Sequence, residues 1–221
     1  MFRSLCMGIA ISVIGPAAVA TTNPSEGLEW QPEDGERLHF DVFRNGDFFG
    51  EHTVVFSVVD DEVRVESDIE LEVKFGPIRV FHYAHDSQET WVSGSLTSLQ
   101  GETRKDGDDF FVTARSNGQS LNIEGTLFNG EASLELVPSS HWNIEQIESD
   151  RILSTESGEL LEIDVVHIGR ENIEAGGQII SADRYRLQSD LTVDLWYDDA
   201  GRWVKCAFEA RGQNVEYVLR E

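Results

Sequence analysis

The side chains able to do chemistry in this 221-residue chain are scattered, and their spacing decides which chemistry is open to them. Six histidines invite a metal search. His82 and His85 lie three apart on a run that reads as a strand, where side chains alternate sides, so they face opposite ways and cannot share an ion without a bulge. No Cys or His pair stands at zinc-ligand spacing. The acidic turns Asp106-Gly107-Asp108-Asp109 and Asp198-Asp199 lack the longer ligand spacing of a calcium loop and read as ordinary turns. No metal and no cofactor is expected. Ser139, Ser140 and His141 offer hydroxyls and a base, but chain neighbours rarely point at one another and no glycine-framed elbow surrounds them. Capping a helix is the simpler role for either serine. Glu89 and His85 share a strand parity but lie roughly 13 Å apart along it, too far for direct acid–base work on each other. Cys206, between Val204 and Phe208 on an apolar parity, reads as a buried, inert thiol.

What remains is a set of pocket-lining candidates: His52, Ser67, Tyr83, His85, Glu89, Trp91, Trp142, Tyr185, Ser189 and Tyr197. Packing in a core is the default role for such aromatics. A pocket becomes the competing reading because of the elements that carry them.

The most regular of these elements is Glu62–Phe75. Val63, Val65, Ser67, Ile69, Leu71, Val73 and Phe75 alternate without a break with Glu62, Arg64, Glu66, Asp68, Glu70, Glu72 and Lys74. A period of two marks a strand with one dry and one wet face. At ~3.3 Å per residue it spans roughly 45 Å, and so long a strand must coil into a curved sheet or barrel. A two-residue turn at Asp60-Asp61 would set Val58 against Val63, Phe56 against Val65, Val54 against Ser67 and His52 against Ile69, which points His52 inward. Gly76-Pro77 ends the ladder, and the next strand, about residues 79–91, is read with Phe81, Tyr83, His85, Ser87, Glu89 and Trp91 inward. Turns are expected at Asn45-Gly46, Ser93-Gly94, Asp106-Gly107, Asn117-Gly118, Asn129-Gly130 and Gly176-Gly177. A single short helix is expected near residues 139–148, with Trp142, Ile144 and Ile147 against the sheet. A second long ladder, residues 185–197, is read as one strand. The turn Asp198-Asp199-Ala200-Gly201 would pair Leu195 with Val204, Val193 with Cys206 and Leu191 with Phe208.

Residues 1–20 have one positive charge, an apolar run and Ala18-Val19-Ala20, the pattern of a cleaved secretory signal peptide. Residues 21–36 read as a flexible lead and residues 37–221 as a single antiparallel β domain. The expected location is the periplasm, with no transmembrane segment after cleavage. The formal charge is −24, which makes nucleic acid and anionic membrane surfaces poor partners. Apolar residues make up 40%, enough to exclude global disorder.

Two passages, residues 83–91 with the Ser93-Gly94 turn and residues 194–212, joined by Pro138-Ser139-Ser140-His141-Trp142-Asn143, resemble an uncharacterised family of exported bacterial proteins, the domain-of-unknown-function family six-one-three-four. The likeness implies no activity. In architecture alone the chain is similar to the periplasmic lipoprotein-carrier half-barrels, which shelter acyl chains in a concave sheet.

The expected fold is all-β: a long, strongly curved antiparallel sheet forming a barrel or half-barrel, with one short helix. Both ladders have a dry face and little helix to cover it. The leading expectation is a non-enzymatic protein binding a lipid or other apolar or amphipathic molecule. A cell-envelope structural or interaction module is the alternative. A hydrolase is third, requiring His52, His85, Glu89 or His141 to meet in one cleft. The facing of the ladder is open to a direct test. Leu71→Asp should prevent folding, whereas Glu70→Lys should be nearly silent; comparable thermal melts for the two would refute it.

Overall fold

The computed structural model describes residues 30–220. The expected signal peptide, and residues 21–29 of the lead segment, lie outside the described residues. The strands in chain order are β1 (Arg37–Arg44), β2 (Asp47–Val59), β3 (Glu62–Phe75), β4 (Ile78–Val92), β5 (Ser95–Lys105), β6 (Asp108–Ser116), β7 (Leu121–Gly125), β8 (Asn129–Ala132), β9 (Val137–Pro138), β10 (Arg151–Leu153), β11 (Leu160–Glu162), β12 (Asp164–Ala175), β13 (Gln178–Gln188), β14 (Val193–Asp198), β15 (Trp203–Ala210) and β16 (Gln213–Leu219).

Thirteen of them form one antiparallel sheet in the order β12-β13-β14-β15-β16-β1-β2-β3-β4-β5-β6-β7-β8. Its two ends, β12 and β8, do not pair with each other, so the sheet is an open half-barrel. Its closing seam in sequence is β1 against β16, with Phe40 opposite Leu219 and Arg44 opposite Val215.

The long ladder is β3 from end to end, and the register across Asp60-Asp61 is the expected one, including His52 opposite Ile69. Apolar side chains on both strands meet on the dry face, and a one-residue slip would bury carboxylates instead. The odd-numbered side of β4 faces inward, with His85, Ser87, Glu89 and Trp91 buried.

The second ladder is not one strand. It folds back on itself: β13 and β14 are antiparallel neighbours, with Tyr185 opposite Leu195 and Leu187 opposite Val193. Loop residues 189–192 turn the chain. The next hairpin is also shifted from expectation: Leu195 faces Cys206 and Val193 faces Phe208, with an irregularity at Trp196/Tyr197. The shift of two residues has two causes: the Asp198 turn, whose carboxylate accepts from the backbone N–H groups of Ala200 and Arg202, takes in one more residue than expected, and the irregularity at Trp196/Tyr197 adds the second. Asn129-Gly130 begins β8 rather than turning, because the reversal comes earlier, where the Gly125 N–H bonds to the Phe128 carbonyl.

Between β8 and β12 the chain crosses inside the curve of the sheet. Here lie a three-stranded sheet (β11-β10-β9) and a single 3₁₀ turn, Ile144–Glu148. Asn143 caps that turn, accepting from Glu145 N–H, in place of Ser139 or Ser140. Ser139 instead receives the Thr155 N–H. Trp142, Ile144 and Ile147 are buried against the sheet as expected. The last residues of the lead are tied down: Trp30 packs edge-on against Phe56, and the Gly35 N–H bonds to the Phe56 carbonyl.

The crossover lies against β5–β7 at backbone distance. A Cβ on Gly101 would stand 2.3 Å from the Thr155 carbonyl oxygen, and one on Gly125 would stand 2.5 Å from that of Ser157. Glycine is required here by space. Gly101→Ala should lower stability by about 1–3 kcal/mol, the range for overpacking. Urea unfolding measures it; an unchanged midpoint would mean that the crossover does not sit so close.

Candidate functional site

Alternation along the strands brings one polar group after another onto the dry face, and topology decides which of them meet. The turns Asn45-Gly46, Gly76-Pro77, Asp106-Gly107 and Arg211-Gly212 and loop residues 189–192 collect at one end of the half-barrel. Asp60-Asp61, Ser93-Gly94 and the Asp198 turn collect at the other.

Midway between them, a cavity of about 380 Å³ lies between the crossover and the sheet. One wall is β2–β4, with His52, Ser67, Ile69, Tyr83 and His85; the other is β13–β16, with Leu187, Val193, Phe208 and Tyr217. The crossover supplies the third side, through Ser139, His141, Ile152, Thr155, Glu156 and Leu161 among others.

Several of its polar groups are paired. His52 Nε2 meets Ser67 Oγ at 2.7 Å, while His52 Nδ1 is buried without a partner. His85 Nδ1 meets Thr103 Oγ1 at 2.8 Å. The Tyr83 hydroxyl donates to Glu156 Oε2 at 3.2 Å, and His141 Nδ1 meets Gln146 Oε1 at 3.0 Å. Burial, followed by the nearness of His85 and His141, pushes the His52 pKa down to about 3. Burial pushes His85 down to about 4, against the pull of Glu156 and Asp86. Burial lowers His141 too, opposed by Gln146. The cavity wall therefore offers neutral imidazoles and hydroxyls together with the carboxylates of Glu156, Glu159 and Asp190.

Of the sequence candidates, His52, Ser67, Tyr83, His85 and Ser189 line this cavity. Trp91 and Trp142 line a separate hollow at the far end, together with Trp30. Glu89, Tyr185 and Tyr197 line neither. Glu89 Oε2 accepts from the indoles of Trp91 (2.8 Å) and Trp142 (3.1 Å). Tyr197 donates to the His141 carbonyl and receives from Gln146 Nε2. Tyr185 stacks by His167. His52, His85 and His141 do come together, but Glu89 does not join them.

Ser67 and His52 are at the distance of a nucleophile and its base. Three features argue against that role. β3 is an interior strand whose N–H groups pair with β2 and β4, leaving none free to hold an oxyanion. No carboxylate orients His52, whose second nitrogen is unpartnered. Burial also holds the imidazole far from the pKa a base needs. His82, on the outer face, meets Glu70 at 2.7 Å. Among the described residues, no three His, Cys, Asp or Glu side chains are grouped to hold a metal ion.

Sequence reasoning missed the crossover residues Thr155, Glu156 and Leu161. Their run of Ser, Thr, Glu and Gly reads as an exposed loop, and only its passage inside the sheet buries it.

Fold and cavity together define a β-barrel-like half-barrel protein. The chain belongs to a family described as a domain of unknown function (DUF6134), whose model matches residues 40–220. Among solved structures it is similar to a beta-barrel-like protein of domain of unknown function DUF1849 from Brucella abortus, with a TM-score of 0.57, 8% identity, and coverage of 84% of this chain and 95% of that one. At that identity the likeness is one of fold. No curated protein sequence matches the chain.

The buried histidines make stability depend on pH. Their folded pKa values lie below the unfolded value near 6.5, so only the unfolded state takes up protons as the pH falls. Their contribution is complete above about pH 6.5 and is lost progressively toward pH 4, by about 1.4 kcal/mol per pH unit for each histidine. His52→Gln, which keeps a partner for Ser67, should lose about 2 kcal/mol less than the native protein between pH 6.5 and pH 5. Urea titrations at the two values measure the difference, and equal losses would show that His52 is not buried as a neutral group.

Proposed function

We propose that this is an exported, periplasmic protein that holds an apolar or amphipathic small molecule inside its half-barrel. The cavity of about 380 Å³ is the observation that carries this reading. Apolar walls such as Ile69, Leu161 and Leu187 left facing open space forgo the stabilisation that covering them would bring, about 25 cal/mol per Å². Its isoleucine, leucine and valine side chains suit the hydrocarbon part of a guest, and the hydroxyls, imidazoles and the carboxylates of Glu156, Glu159 and Asp190 among them suit a guest that also carries polar groups. Export is supported by the pattern of residues 1–20.

The alternative, a protein-interaction module, is favoured by one observation. The tip of the β3–β4 hairpin exposes Phe75, Ile78 and Val80 by 80, 62 and 59%. Such a module has no need of an unfilled interior, so the small-molecule reading stands first.

Native mass spectrometry of the protein isolated from the periplasm tests this. The expected spectrum contains an added mass that organic extraction removes and that dodecanol restores. Leu161→Trp, which places an indole in the cavity, should abolish the uptake. A protein that neither retains nor takes up any apolar molecule would overturn the reading.

A further inference from the structure

The cavity adjoins a second space of about 450 Å³ toward the Arg211-Gly212 end of the half-barrel, and Tyr83, Glu156, Leu191, Phe208 and Tyr217 wall both. The walls of this outer space are apolar, with Phe49, Leu71 and Phe81 prominent. Its charged lining is Arg44, Lys105, Arg211 and Glu156. Each cation stands at a hairpin end: Arg44 closes β1, Lys105 closes β5, and Arg211 makes the β15–β16 turn.

This is opposite in sign to the chain as a whole, in which 17 Lys and Arg face 41 Asp and Glu. Lys105 is shared between Glu156 Oε1 at 3.3 Å and the Tyr83 ring. Arg44 lies over the Phe49 ring, 5.4 Å from its centre. Among the described residues, neither Arg44 nor Arg211 forms an ion pair with a carboxylate, although carboxylates outnumber cations more than two to one. Arg211 also occupies an unfavourable backbone region, φ 54, where the comparable turns place Asn45, Asp60, Ser93 and Asp106. An arginine gains nothing locally from that position.

We propose that this mouth takes the anionic head of an amphiphile, a carboxylate or phosphate on a hydrocarbon chain, with the chain running inward past Phe49, Leu71, Phe81 and Phe208 into the cavity. The proposal rests on the cavity being a ligand site, and it adds the charge of the head and the direction of entry. Guanidinium forks match carboxylate and phosphate geometry. Arg44 is half-buried beside apolar walls, and Arg211 is exposed at the rim.

The test is calorimetric titration of the mature protein with dodecanoate, dodecyl phosphate and dodecanol, each below its micelle concentration, alongside the double variant Arg44→Gln, Arg211→Gln. At low salt, one or both anions should bind at least tenfold more tightly than dodecanol, and the tighter of the two identifies the head. Added salt should shrink the advantage, and the double variant should remove it while binding dodecanol as the native protein does. Unchanged dodecanol affinity shows that the variant is folded. Equal binding of dodecanol and the anions, or an anion preference that survives in the double variant, overturns the assignment of the head and leaves the cavity reading in place. Failure of all three to bind overturns both.

Discussion

The buried carboxylate of Glu89 fastens the inner crossover to the sheet, and the interior is arranged around that attachment. One of its oxygens accepts from two indoles, Trp91 on the same strand and Trp142 on the crossover. Hydrogen bonds each contribute about 0.5–1.5 kcal/mol net, and losing the acceptor would leave two indole donors unpaired in a dry site. Burial raises the Glu89 carboxyl pKa, and the Ser140 hydroxyl and the two indoles oppose the rise. Once Trp142 is placed, so is the 3₁₀ turn that follows. Gln146 in that turn donates to the Tyr197 hydroxyl, which donates to the His141 carbonyl. A continuous set of bonds thus joins β4, the crossover and β14 across the half-barrel.

Much of the sheet is legible in the sequence because a two-residue turn changes the parity of the inward face. Inward residues are even-numbered through Val54, Phe56 and Val58 and odd-numbered from Val63, so the reversal at Asp60-Asp61 is visible. A hairpin that pairs residues of equal parity leaves no such mark. Leu187 and Val193 are both odd, and the alternation runs through residues 189–192 as though the strand continued. Ser189 is therefore a loop residue, whereas Ser67, read from the same pattern, does lie in mid-strand with its hydroxyl on His52. Bulges hide in the same way. The one at Trp196/Tyr197 shifts every later pair, and nothing in the run Asp194 to Trp203 announces it.

The candidate site was legible only where it is built from strands. Parity placed His52, Ser67, Tyr83 and His85 on the inner face, and they share the cavity. It could not separate them from Trp91, because one strand face extends from the mouth of the half-barrel to its far end. The crossover was illegible for a different reason. Its segment Ser154-Thr155-Glu156-Ser157-Gly158 has the composition of an exposed loop, yet Ser154, Thr155 and Ser157 are buried. What buries them is the approach to Gly101 and Gly125, a contact between distant parts of the chain that no local pattern encodes.

That approach also explains why the cavity lies where it does. The crossover is drawn to one side of the half-barrel, because the glycines of β5 and β7 let its backbone come within contact distance of theirs. On the side facing β13–β16 there is no equivalent pair of glycines in contact with it, and a gap remains. The residues bordering the gap include Ser67, Ser139, Ser154, Thr155, Ser157 and Cys206, none of them large. Leucine or phenylalanine at two or three of these positions would close it and add buried apolar area worth about 25 cal/mol per Å². Small polar residues there forgo that stabilisation. The opposite side, with Leu99, Val112 and Leu121 fully packed, shows that the same chain can fill an interior when its residues are large enough. The space is thus bordered by small residues both on the crossover and on the sheet strands that face it.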